Sequence, residues 1–317
     1  MSDPQQIART SEVWPALPLP AWLDTLDTLH MWSQIVGKVK LELTPFVNEW
    51  WNVGFFVTPR GLTTGSIPTG ERLFSIDFDF IGHSLYLYAS DGSVKTMQLT
   101  SRSVADFYSQ LMEELRAMGI EVTINTRPVE LPDPDPIPFD LDHEHATYDP
   151  DAVNRWWRIL VQCERVLQQF RTPFYGKSSP ILFYWGSFDL SHTRFSGRPT
   201  TPPSGPRFFQ IAEDQENYAC GFWPGNVSAS GVTLGEPAFY AYHFPEPDGS
   251  KIAQVRPAGA TYDLNMGEFI FRYEDARRSP SPEQAILDFL QSTYEAVSNL
   301  ANWPRELLEP TQLKGKQ

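Results

Sequence analysis

Five prolines fall within residues 128–139. Each removes a backbone donor and fixes φ, so this stretch can neither continue a helix nor pair inside a sheet. With Glu130, Asp133 and Asp135 between the prolines, it reads as a stiff acidic strap. The chain on either side is long enough for a substantial core. The expected division is a first half over 14–127, the strap over 128–148, and a second half over 149–303.

Both sides carry the same run of signals. Pro20 opens a helix in which Trp22, Leu26, Leu29, Trp32, Ile35 and Val36 recur at helical spacing, with Gly37 as its stop. Strands are expected over 38–43, 50–57, 62–67, 73–80, 85–89 and 95–99, with Asp91-Gly92 as a hairpin turn. Phe74, Ile76, Phe78 and Phe80 alternate with Ser75, Asp77 and Asp79, so that sheet has one wet face. Ser103 with Asp106 caps a second helix that Gly119 ends, and 120–125 reads as another strand. Beyond the strap, Asp149-Pro150 starts a helix, strands are expected over 181–188, 218–223, 239–244 and 268–273, and Ser281-Pro282 opens a last helix.

The fold class expected is therefore α+β: two pseudo-repeated helix–antiparallel-sheet–helix halves forming one compact unit. Gly54, Phe56 and Gly65 match Gly186, Phe188 and Gly197 at one constant offset. An internal duplication explains that echo, and chance coincidence of glycine and aromatic positions is the alternative.

A formal charge of −14 argues against a nucleic-acid backbone or an anionic membrane as partner, since both need a basic face. A hydrophobic content of 41% with 14% aromatics excludes a disordered chain. The first residues lack the apolar core of a signal peptide, and a cytosolic, cytoplasmic protein is expected. Cys163 and Cys220 read as two buried free thiols, with a disulfide as the alternative.

Several segments carry a resemblance: residues 28–38, Arg60-Gly-Leu-Thr-Thr64, Ser103-Val-Ala-Asp-Phe-Tyr108, Asp135-Pro-Ile-Pro-Phe139, Ser187-Phe-Asp-Leu190, Thr193-Arg-Phe-Ser-Gly-Arg198, Gly221-Phe-Trp-Pro-Gly225 and Phe239-Tyr-Ala-Tyr242. Together they resemble an uncharacterised, mainly bacterial family known only as a domain of unknown function, DUF5996. The resemblance runs from Trp14 to Trp303 and implies no activity, so the chemistry must come from the residues.

Ser191-His192-Thr193 is expected at an exposed hairpin tip, with Asp189 and Arg194 facing each other across its mouth as an ion pair or a substrate clamp. His30, inside the first helix, reads as a neutral core imidazole rather than a general base. Asp77 and Asp79 read as solvated carboxylates rather than paired acids. His143 and His145 are the candidates for a metal, but they lie side by side among acids, without helical ligand spacing, and a solvated linker is the reading preferred. Phosphate-loop, dinucleotide and nucleophile-elbow motifs are absent, and any cofactor is unknown at this point.

What remains is an aromatic excess, 10 Trp, 12 Tyr and 21 Phe, beside arginine-bearing turns. The expectation is a small-molecule groove between the halves lined by Trp51, Trp185, Asp189, Trp223 and Tyr242, with Arg60, Arg194 and Arg198 holding an anionic group at its mouth. The alternatives are an enzyme, in one version metal-assisted through His143 and His145, and an interaction protein docking through the strap.

Overall fold

Helix α1 (Leu23–Leu43) has every residue from Thr28 to Lys40 buried. A helix buried all round must be a central element, and its polar residues must find partners inside the protein. In the computed structural model, which describes residues 12–205, 207–227 and 231–309, those partners fix the rest of the architecture.

The first sheet is antiparallel and six-stranded. It comprises β1 (Phe56–Val57), β2 (Gly61–Thr63), β3 (Ile67–Thr69), β4 (Arg72–Asp79), β5 (Ser84–Ala89) and β6 (Val94–Gln98), in the order β1-β2-β4-β5-β6 with β3 beside β4. Helix α2 (Val104–Ala117) follows, its Asp106 N–H donating to Ser103 Oγ at 3.1 Å. After the strap, α3 (Pro150–Arg171) starts where Asp149 Oδ1 accepts from the N–H groups of Asp151 and Ala152.

The second sheet contains β7 (Leu182–Tyr184), β8 (Asp189–Pro199), β9 (Gln215–Trp223), β12 (Ala238–Phe244), β13 (Thr261–Asp263) and β14 (Glu268–Arg272), ordered β13-β14-β12-β9-β8-β7. Between these run the short helix α4 (Arg207–Ala212) and the small ribbon of β10 (Asn226–Val227) and β11 (Thr233–Leu234). Helices α5 (Tyr273–Arg278), α6 (Pro282–Leu300) and α7 (Arg305–Leu308) complete the seven α-helices of the described residues. The α+β class holds, and Cys163 and Cys220 are free and buried.

The two sheets meet edge to edge. Phe55 and Phe183 exchange N–H···O bonds of 2.8 Å in both directions, so neither first strand is left as an open edge. One continuous apolar cluster runs from Trp14 to Trp303 through both halves. At its centre Trp156 of α3 stacks on Phe188 (5.0 Å between centroids, 12°) and meets Trp22, Phe80 and Phe183.

Four expectations require correction. Residues 38–43 are helical, because Gly37 is no stop: a Cβ there would lie 2.2 Å from the Trp185 ring, so glycine serves close packing of helix on indole. Residues 50–57 hold a tight 3-10 turn (Asn48–Trp50) before the short β1, not one long strand. Residues 120–125 form no strand. The constant offset fails as structural equivalence, since Phe56 lies in β1 whereas Phe188 lies in the turn after β7.

Candidate functional site

The buried polar residues of α1 build one wall of a groove. His30 Nε2 donates to Gly186 O at 2.8 Å, and burial pushes its pKa down to about 4, so it is the neutral core imidazole the sequence suggested. Gln34 donates to Val129 O and accepts from Val129 N, both at 2.8 Å, in the manner of a strand neighbour. Lys38 Nζ donates to Asn125 O at 3.0 Å and to Arg127 O, and burial lowers its pKa to about 8. These contacts satisfy polar groups that would otherwise be costly to bury, and they fasten the strap and the β7–β8 turn against one helix.

The opposite wall is the outer face of the second sheet. Along β8 the side chains alternate: Asp189, Ser191, Thr193 and Phe195 line the groove, while Leu190, His192 and Arg194 pack on the other face. The turn sits at 185–188 because Tyr184 pairs with Asp189 and Leu182 with Ser191. His192 is therefore mid-strand and fully buried, not at an exposed tip. Its ring, hydrogen-bonded to Ser179 O at 3.1 Å, is kept neutral by burial and the nearby Arg194 charge, with its pKa pushed down to about 3.

Asp189 and Arg194 cannot face each other, since five residues apart on one strand puts them on opposite faces. Arg194 is 1% exposed, with its guanidinium carbon 3.5 Å from the Phe170 ring centroid and 4.4 Å from that of Tyr294. Arg60 lies on the first sheet and grips Asp79 through Nε (2.9 Å) and Nη2 (2.6 Å). Arg198 holds Glu216 in the same two-pronged way, at 2.6 and 3.0 Å. None of the three arginines lines the groove, whereas Trp51, Trp185, Asp189, Trp223 and Tyr242 do. Asp79 is buried rather than solvated, and Asp77 accepts from Thr63 Oγ1 at 2.5 Å.

The groove has two lobes of about 510 Å³ and about 750 Å³ that share Glu130, Asp189, Tyr240 and Tyr242. Asp189 accepts from Ser187 Oγ at 2.6 Å and from Tyr240 Oη. Tyr242 Oη donates to Glu213 at 3.2 Å, and the rings of Tyr240 and Tyr242 stack at 6.4 Å and 15°. Phe208 and Phe209 of α4 lean over both lobes, with Phe208 O accepting from Trp50 Nε1 at 2.8 Å.

Among the described residues seven non-glycine positions have positive φ, and five of them (Glu49, Trp50, Glu130, Phe188 and Asn226) line this groove. Backbone held in that region costs on the order of 1–3 kcal/mol per residue and concentrates at functional sites.

Glu130 and Glu268 are among the groove residues the sequence did not single out as a site. Burial, reinforced by the charge of Asp189, pushes Glu130 up to about 7. Burial, then Asp189 and Asp263, push Glu268 up to about 8. Nothing in the sequence separates Glu130 from the solvated acids of the strap, and Glu268 is merely the first residue of an alternating strand.

A carboxyl raised by folding contributes its full stability below its ordinary value of 4.5 and loses it as pH rises toward about 8. Glu268→Gln is accordingly expected to raise the Tm of the apo protein, with a gain that grows from about pH 5 to about pH 8 and then levels. Thermal melts across that range check it, and a gain independent of pH would refute the assignment.

The histidines of the strap part company. His143 is exposed, while His145 Nδ1 bonds Asp142 at 2.8 Å, which holds its pKa above the usual imidazole range. Its carbonyl accepts from Val104 N at 3.0 Å, so it caps α2 rather than the helix after it. No three His, Cys, Asp or Glu side chains of the described residues gather as a metal site. No helix among those residues is long and apolar enough to cross a membrane.

No curated protein and no solved structure matches the chain. The sequence model of a family of unknown function, DUF5996, matches residues 14–310. Some of the landmarks that carried the resemblance build this groove, among them polar residues of α1, Ser187 to Asp189 and the Tyr240–Tyr242 pair, while Arg60–Thr64 and Ser103–Tyr108 lie elsewhere; the chain belongs to that family.

Proposed function

We propose that this protein binds a small molecule in the groove between α1 with its strap and the outer face of the second sheet. The observation that carries the reading is the concentration of positive-φ backbone on the walls of one aromatic cavity. Pockets for small ligands have this make-up, mostly apolar walls with a few convergent polar groups. Crystals of the full chain soaked with a set of aromatic fragments of positive, neutral and negative charge test it. Fragments are expected against Tyr240, Tyr242 and Trp185. A set that binds elsewhere and leaves the groove empty overturns the reading.

A second reading, an enzyme, draws on Glu130 and Glu268, whose raised values near 7 and 8 suit proton transfer at neutral pH. The metal-assisted version has less support, because His145 is already committed to Asp142 and to α2. Docking through the strap has less as well, since Gln34 holds Val129 of the strap, and Lys38 the residues just before it, against α1.

The order helix, antiparallel sheet, helix occurs on both sides of the strap, and the mutual Phe55–Phe183 pair joins the two sheets. That order supports the duplication better than the constant offset did.

A further inference from the structure

We infer that the groove takes an aromatic molecule bearing a protonated amine, whose ammonium group sits among the carboxyls of Glu130, Asp189 and Glu268. The inference rests on the binding reading above and adds the chemical class of the ligand.

The three acids line the same lobe, from three separate elements: the strap, β8 and β14. They are close enough for Asp189 to raise both glutamates. Only Asp189 is hydrogen-bonded. Neither the Glu130 nor the Glu268 carboxyl accepts a hydrogen bond from a described residue. Both side chains are half-buried in the groove wall, and a partly desolvated carboxylate without donor or counter-charge is disfavoured.

The protein's own cations do not supply the missing charge. From α1, His30 is neutral and its Nε2–H is spent on Gly186, while Lys38 lines the other lobe with its ammonium on two carbonyls. From the strap, His145 is paired with Asp142. The remaining titratable groups that face the lobe are Asp27 from α1, Asp133 and Glu144 from the strap, and Tyr240 and Tyr242 from β12. All of them are acidic or neutral, and Glu213 beside Tyr242 adds another acid. An anionic ligand would face the acids of α1, the strap, β8 and β14, with the imidazole of His145 already paired to Asp142.

The acids do not form a metal cage, so the cation that fits is larger and directional. An ammonium group offers three N–H donors to carboxyls set around it. The stacked faces of Tyr240 and Tyr242, with Trp223 beyond them in the same lobe, attract a cation and its aromatic body alike.

Isothermal titration of the full chain with tryptamine, tryptophol and indole-3-propionate compares one ring carrying a positive, a neutral and a negative tail. Phenethylamine, 2-phenylethanol and 3-phenylpropionate repeat the series on a smaller ring. The amines are expected to bind at least about tenfold tighter than their alcohols, the worth of a hydrogen bond to a charged group. Glu130→Gln and Glu268→Gln should each remove about tenfold from amine binding and clearly less from alcohol binding. Amine affinity should rise between about pH 6 and about pH 8.5, with protons released on binding, because the ammonium favours the ionised carboxyls.

Alcohols or acids binding as tightly as the amines would overturn the charge class and leave the groove reading standing. Six compounds that all fail to bind would overturn both. Equal losses for amine and alcohol in the glutamine variants would mark the glutamates as structural and refute the inference.

Discussion

Trp156→Ala is expected to destabilise the protein by about 3–5 kcal/mol, the range for removing a large aromatic from a core that cannot close the gap. The site has little freedom to collapse, because four other aromatic rings surround the indole and come from both halves: Trp22 and Phe80 before the strap, Phe183 and Phe188 after it. Trp156→Phe should cost far less, since the indole Nε1 has no hydrogen-bond partner to lose. Urea unfolding of the three proteins gives the comparison. The alanine variant should still unfold in one transition, with both halves weakened together. Two separated transitions would show that the halves hold their cores independently and that Trp156 does not join them.

Gly37→Ala should destabilise the protein by about 1–3 kcal/mol, the usual cost of overpacking. The sign is the informative part. Helix propensity alone favours alanine over glycine mid-helix by about 1 kcal/mol, so a reading of α1 as an isolated helix expects a gain. The structure puts the new methyl 2.2 Å from a ring that cannot swing away. Trp185 is buried and its Nε1 donates to Val53 O at 3.0 Å. Combining Gly37→Ala with Trp185→Leu should recover part of the loss, a coupling that a double-mutant cycle measures directly. Because Trp185 lines the groove, the single variant should also weaken whatever stacks there. A stabilised Gly37→Ala protein would refute the packing.

The first helix shows how far a sequence reading reaches. Its apolar stripe announced a helix, but the stripe could not announce that the polar residues between were buried too. Gln34, Lys38 and Lys40 look like a wet face by residue type, and each is satisfied by a distant carbonyl, such as Gly54 O for Lys40 and Val129 O for Gln34. Such partners lie far apart in the chain, and no local pattern encodes them. The β7–β8 hairpin erred for a related reason. An apolar run fixes that a buried strand exists, while its register is set by the neighbouring strand. The expected tip moved from 191–193 to 185–188, which buried His192, took Arg194 out of the site, brought Ser191 into it and left Asp189 there.

The sequence by itself determined the α+β class, the caps at Ser103 and Asp149, the proline strap, the two free cysteines and the aromatic character of the groove. All of these depend on local chemistry: a capping oxygen, a missing N–H, a two-residue alternation. Only the tertiary structure decided the sign of the groove's charge. The arginines expected at its mouth have carboxylates or aromatic rings of their own elsewhere. Glu130 and Glu268 arrive from the strap and from β14, and their side chains become special only where Asp189 and the exclusion of water raise their proton affinity. Electrostatics of that kind depends on distance and burial, and both exist only once the chain has folded.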